Sequence, residues 1–147
     1  MRQREGAALV RILTSRLEQI AALVGRAENV PGRRVEAIRA RLAEQVATLL
    51  AQSDRFDPDR LHQEAILLAT KADVREELDR LAAHIAQAQQ LIGGGGAVGR
   101  RLDFLAQELN REANTLCAKS NDVELTKIGL ELKTVVEQFR EQVQNLE

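Results

Sequence analysis

The chain has 147 residues, with 21 Lys and Arg against 22 Asp and Glu and a formal net charge of −1; that is one ordinary domain's worth of chain, with no overall charge bias toward a nucleic acid or an anionic membrane. Hydrophobic residues make up 44% and charged residues 29%, too apolar a mixture for a disordered segment. With no Trp, no Tyr, three Phe and one Cys, the composition argues against a sheet of stacked aromatics for RNA and rules out an intrachain disulfide or a multi-cysteine zinc site.

Apolar residues recur at helical spacing from the start of the chain. Leu9, Leu13, Leu17, Ile20 and Val24 form a first stripe, which ends at the breaker cluster Asn29-Val30-Pro31-Gly32. Val35, Ile38, Leu42, Val46 and Leu49 form a second, running out at Gln52-Ser53-Asp54. A third helix opens at Asp57-Pro58, with Asp57 as N-cap and Pro58 at the first helical position, where its missing N–H is no loss. Its first apolar track is Leu61, Ala65, Leu68 and Ala72; a second, offset track is Val74, Leu78, Leu81, Ile85 and Ala88. One helix from there to Ile92 would be about 50 Å long, so a bend or a partner chain is expected, with the change of packing partner near Ala72. Gly93-Gly94-Gly95-Gly96 reads as an interhelix loop; it lacks the Lys-Ser/Thr of a phosphate-binding P-loop, and no strand precedes it. Leu102, Leu105, Leu109, Ala113 and Leu116 mark a fourth segment. The fifth opens at Asn121, with Glu124 completing a capping-box-like pair, and carries Leu125, Ile128, Leu132, Val135, Phe139, Val143 and Leu146. No strand pattern competes. The expected fold is all-α, with long antiparallel helices in a bundle or hairpin, an extended third helix and a capacity for helix–helix assembly.

The near-zero net charge conceals a division. Residues 1–51 hold nine Arg and five Glu, whereas residues 52–99 and 100–147 are net acidic. Arg suits phosphate because its planar fork pairs bidentately, although a solvated helix face with ordinary ion pairs has the same composition. The lone Cys117 points to a reducing compartment and reads as a small packed residue at a helix end. No apolar run approaches the ~20 residues of a membrane span, and the charged Met1–Glu5 start is unlike a secretory leader. A cytoplasmic protein without a membrane partner is the expectation.

The stretch Gly99–Leu116 differs from ordinary helix filler. On a helix, Asp103, Gln107, Asn110 and Asn114 share one polar stripe, and Glu108, Arg111, Glu112 and Thr115 the next. Asn is a poor interior helix residue, so two of them point to specific hydrogen bonds, to a ligand or across a helix interface. Glu108 and Glu112, one turn apart, offer oxygen ligands suited to Mg or Mn. Arg100, Arg101, Arg111 and Lys119 would then face phosphate oxygens, the ingredients of metal-assisted phosphodiester hydrolysis. The alternative reading is a polar face knitted by Glu–Arg pairs and buried Asn in an oligomer. His62 and His84 would be about 33 Å apart on one helix and so cannot share a metal within a chain; either alone could serve as a general base.

These residues carry a resemblance. GRRLDFLAQELNREANTL (99–116), KSNDVE (119–124) and ELKTVVEQFREQVQNLE (131–147) resemble the C-terminal signature of the YicC-like endoribonuclease family. FDPDRLHQEAILLATKADVREELDRLAAHI (56–85) resembles the segment before it, and REGAAL (4–9) the start of its long helical region. The resemblance implies a cytoplasmic, ring-forming homo-oligomer, typically a hexamer, that cleaves RNA at internal phosphodiesters, is linked to stress and uses a divalent cation. It also implies roughly twice this length, with an N-terminal α/β portion that has no counterpart here. The motif carries over at Arg100, Arg101, Asp103, Glu108, Asn110, Arg111, Glu112, Asn114, Lys119, Ser120, Glu131, Lys133 and Glu137, and at Asp73, Glu76, Glu77 and His84 in the preceding helix. Ala118 departs from the family's usual Ser, and Gly129 from an aliphatic residue.

The expectations are therefore an Arg-rich helical hairpin over 1–55 and the signature domain over 56–147. The catalytic candidates are Glu108, Glu112, Asp103 and His84, with Glu108 and Glu112 also the candidate ligands of Mg or Mn. The RNA phosphate candidates are Arg100, Arg101, Arg111, Lys119, Asn110, Asn114 and Lys133. The competing expectation is a non-catalytic oligomerisation or RNA-binding module, dependent on a missing N-terminal half for activity.

Overall fold

The computed structural model describes residues 2–70, 73–94 and 98–146. Six α-helices account for most of them: α1 (Arg2–Glu28), α2 (Val35–Ala51), α3 (Pro58–Thr70), α4 (Arg75–Gly94), α5 (Gly99–Lys119) and α6 (Val123–Val143), with short 3₁₀ turns at Pro31–Arg33 and Ser53–Arg55. No strand occurs among the described residues, as the periodicity requires.

Helices α1, α4, α5 and α6 form a four-helix bundle in which α1 packs on α4 and α6, and α5 on the same two. The neighbours are antiparallel. Glu77 meets Lys119 and Arg80 meets Glu112 between α4 and α5, Asp103 meets Arg140 between α5 and α6, and Arg26 meets Glu131 between α1 and α6. The buried stripes converge on one core: Leu13, Leu17, Ile20, Val24 and Ala27 from α1, Leu78, Leu81, Ile85 and Ala88 from α4, Leu102, Leu105, Leu109, Ala113 and Leu116 from α5, and Leu125, Ile128, Leu132, Val136, Phe139 and Val143 from α6. On α6 the stripe passes through Val136, fully buried, and not Val135, which is half-buried at the core's edge. Val136 lies four residues after Leu132 and three before Phe139, a step that keeps all three on one face.

The expected long third helix is two helices, α3 and α4, broken between Thr70 and Arg75. The break has a packing cause: the track of α3 faces α2, whereas that of α4 faces the bundle. The expected offset at Ala72, and the Gly95-Gly96 half of the expected loop, lie outside the described residues. Asp57 Oδ1 accepts from the Arg60 backbone N–H at 2.7 Å, the N-terminal stop predicted for α3. The cap of α6 is Asp122, which accepts from the Leu125 N–H at 2.9 Å; the sequence placed it one residue earlier, at Asn121.

Helices α2 and α3 pack on each other and contribute no buried residue. They form a hairpin projecting from the bundle. Its two roots are tied by Arg33 and Asp73, 3.5 Å apart, and the turn at the first root lies so close to the start of α6 that a Cβ on Gly32 would stand 2.6 Å from Asp122 Oδ1.

Candidate functional site

The antiparallel seam of α4 and α5 gathers most of the chemistry. At its base, Lys119 Nζ donates to Glu77 Oε2 at 3.1 Å, with Glu77 buried and its second oxygen unpaired. One turn further, Arg80 bridges Glu112 at 3.7 Å and Glu76 at 3.5 Å. Glu112 is only 3% exposed, so this guanidinium is its compensating charge. The same register continues from Arg80–Glu112 and puts His84 level with Glu108. His84 is half-buried, and its Nδ1 is enclosed without a hydrogen-bond partner. Glu108 is half-buried and faces Arg111 on its own helix at 3.8 Å. At the far end of the seam Arg100 and Arg101 stand beside Gln87, Gln90 and Leu91 of α4. Helix α5 begins there with no side-chain cap and no acidic residue in its first turn, so its positive end is uncompensated.

The remaining candidates lie on the other flank of α5, against α6. Asp103 accepts from Gln107 Nε2 at 3.0 Å and faces Arg140 at 3.7 Å. The register that pairs Asp103 with Arg140 sets Asn110 level with Lys133, and Asn114 follows one turn on. Lys133 lies close enough to Cys117 to lower its pKa, but burial is the larger influence and pushes that thiol above its ordinary value of 9.0. The fold thus unites His84, Glu108, Glu112 and Arg111 with Lys119, Arg100 and Arg101 along one seam. It separates them from Asp103, Asn110, Asn114 and Lys133. Arg80, central to the seam, was not among the sequence candidates; its signal was the spacing Glu76-Arg80-His84, one turn apart on a single face of α4.

Among the described residues no three acidic, imidazole or thiol side chains converge as a metal-ion cage. Glu108 and Glu112 already face guanidinium groups. Two carboxylates suit only the manner in which Mg²⁺ is held by one or two side chains and completed by water and substrate phosphate. No helix of the described residues is long and apolar enough to cross a membrane.

The family profile described as "Endoribonuclease YicC-like, C-terminal" matches residues 27–147. The chain is 46% identical over 147 residues to a probable endoribonuclease YicC of Haemophilus influenzae, and 35% identical over 147 residues to one of Clostridioides difficile. Each alignment covers 100% of this chain and 50% of the relative. The chain therefore spans about half the length of the curated relatives it matches.

Proposed function

The chain belongs to the YicC-like endoribonuclease family through its C-terminal region, and from that membership we propose that it takes part in hydrolysis of internal RNA phosphodiesters at the α4–α5 seam. The observation that carries the reading is the unpartnered Nδ1 of His84 at the level of Glu108, on a face lined by guanidinium groups. In this reading Glu108 orients a water molecule and His84 takes its proton as the water oxygen bonds to phosphorus; the bond from phosphorus to one ribose oxygen breaks, and that oxygen leaves with a proton from the imidazolium or from solvent. Arg100, Arg101 and Arg111 hold the phosphate and offset its developing charge. Lys119 and Arg80 hold Glu77 and Glu112 in ion pairs within the seam, so that the face is set before substrate arrives. Asn110, Asn114 and Lys133, with Asp103, guide the strand along the α6 flank. A divalent cation, Mg or Mn, would be held between Glu108, Glu112 and substrate phosphate and would supply Lewis acidity. A cytoplasmic location and a link to stress belong to the same proposal.

The test is cleavage of an end-labelled single-stranded RNA with Mn²⁺ present, comparing the protein with His84→Ala and Glu108→Gln. Loss of a general base costs about 10²–10⁴-fold in rate. Undiminished cleavage by both variants, with unchanged thermal unfolding, removes the seam from the mechanism.

A second reading is favoured by the hairpin. Val35, Leu50, Ile66 and Leu67 are each more than half exposed on α2 and α3. A homo-oligomer, a hexamer for the full-length protein, would cover such surface, and the chain would then serve assembly while chemistry is completed elsewhere.

A further inference from the structure

Of the three aromatic residues, Phe139 is fully buried and Phe56 is half-buried beneath Arg60, whose guanidinium lies 5.7 Å from the ring centre. Phe104 is 60% exposed. It stands at the edge of a groove of about 490 Å³ between α4 and α5, floored by Leu91 and Leu105 and walled by Gln87, Gln90, Arg100 and Arg101. The ion pairs of α5 engage Asp103, Glu108, Arg111, Glu112 and Lys119, and leave Arg100 and Arg101 without an acidic partner among the described residues. A wholly apolar partner would have to strip water from two uncompensated guanidiniums and two amides to reach Phe104. A nucleotide has a complement for each of them.

We propose that this groove binds one unpaired nucleotide of an RNA strand. Its base stacks on the Phe104 ring, over the floor made by Leu91 and Leu105. The amides of Gln87 and Gln90, each both donor and acceptor, meet the base edge. Arg100 and Arg101 hold the phosphates on either side through planar, charge-assisted contacts. The proposal rests on the RNA-cleaving reading above and adds to it a base-binding position. Phe104 lies one turn before Glu108 on α5, so the stacked nucleotide sits immediately beside the proposed reacting phosphate. The base in the groove then biases where the strand is cut, and unstacked, single-stranded segments are preferred because a paired base cannot reach the ring.

Phe104→Trp gives the chain its sole indole, whose emission reports this groove alone. The experiment titrates that variant with a single-stranded oligoribonucleotide in EDTA, with a gel to show that the strand stays intact, and follows binding to the unsubstituted protein by the anisotropy of the same strand carrying a dye. Stacking quenches the indole at the concentration where the anisotropy rises. Phe104→Ala weakens binding by about 5- to 150-fold, the range for loss of one stacked base. Gln87→Ala with Gln90→Ala levels the difference in affinity between strands of different base composition. Binding by anisotropy without quenching, and with Phe104→Ala unchanged, overturns the stacking site and leaves the RNA-cleaving reading standing. No binding at all removes both. An emission change that depends on protein concentration and needs no oligonucleotide, with a matching rise in light scattering, overturns the proposal in favour of a second copy covering the groove.

Discussion

Gly129 shows how a residue that costs local stability is required by its neighbour. Glycine inside a helix is destabilising by about 1 kcal/mol relative to alanine, yet a Cβ there would stand 2.7 Å from Cys117 Sγ and 3.0 Å from Leu116 Cδ2 across the α5–α6 contact. Gly129→Ala is therefore expected to lower stability by about 1–3 kcal/mol through overpacking. In a Cys117→Ala background most of that loss should vanish, and denaturant unfolding of the four proteins measures the coupling. Cys117 adds a pH signature. Burial raises its pKa in the folded protein above 9.0, so its contribution is fully present below 9 and declines as pH rises and the unfolded thiol ionises first. The Cys117→Ala variant lacks that component. The departure at Gly129 was visible in the sequence, but its cause was not, because periodicity does not say which residue of a neighbouring helix lies opposite. The same blindness hid Arg80. Glu108 and Glu112 are paired in the sequence by residue type and spacing and His84 is singled out by the resemblance, whereas the guanidinium that faces Glu112 comes from another helix.

At the level of elements, apolar spacing located every helix of the bundle, because each presents one stripe to one core. It did not distinguish the bundle from the hairpin. The stripes of α2 and α3 look like those of α1 and α4, yet they face only each other and remain half-buried. For the same reason the sequence joined α3 to α4. Two collinear stripes separated by an offset are read as one helix until the packing partners are known. The Arg33–Asp73 pair holds the two roots of the hairpin together, so the bundle does not need what lies between them. Replacing residues 35–70 by a short Gly/Ser linker should leave a helical bundle whose melting temperature falls by only a few degrees, of the order of a 1 kcal/mol change. Circular dichroism checks this. If Ile66 and Leu67 take part in assembly, light scattering of the shortened protein should report a smaller particle than the parent.

Across the whole molecule, the two seams of α5 divide the polar residues by neighbour. One flank shares its charges with α4 and carries the imidazole; the other shares them with α6. The Arg excess of residues 1–51 is partly absorbed by the fold, through Arg26 with Glu131 and Arg33 with Asp73. The insertion of the hairpin between α1 and α4 has a kinetic consequence. Helices α4, α5 and α6 follow one another through short connections and can condense through local contacts. Helix α1 joins them only after a long excursion of chain has been closed, at an entropic cost that grows with its length. Docking of α1 is therefore expected to come last in folding. Leu109→Ala in α5 should slow folding, whereas Leu17→Ala in α1, also fully buried, should mainly accelerate unfolding; stopped-flow rates on the two variants separate the outcomes. Helix α1 would thus be the first to leave when the bundle opens.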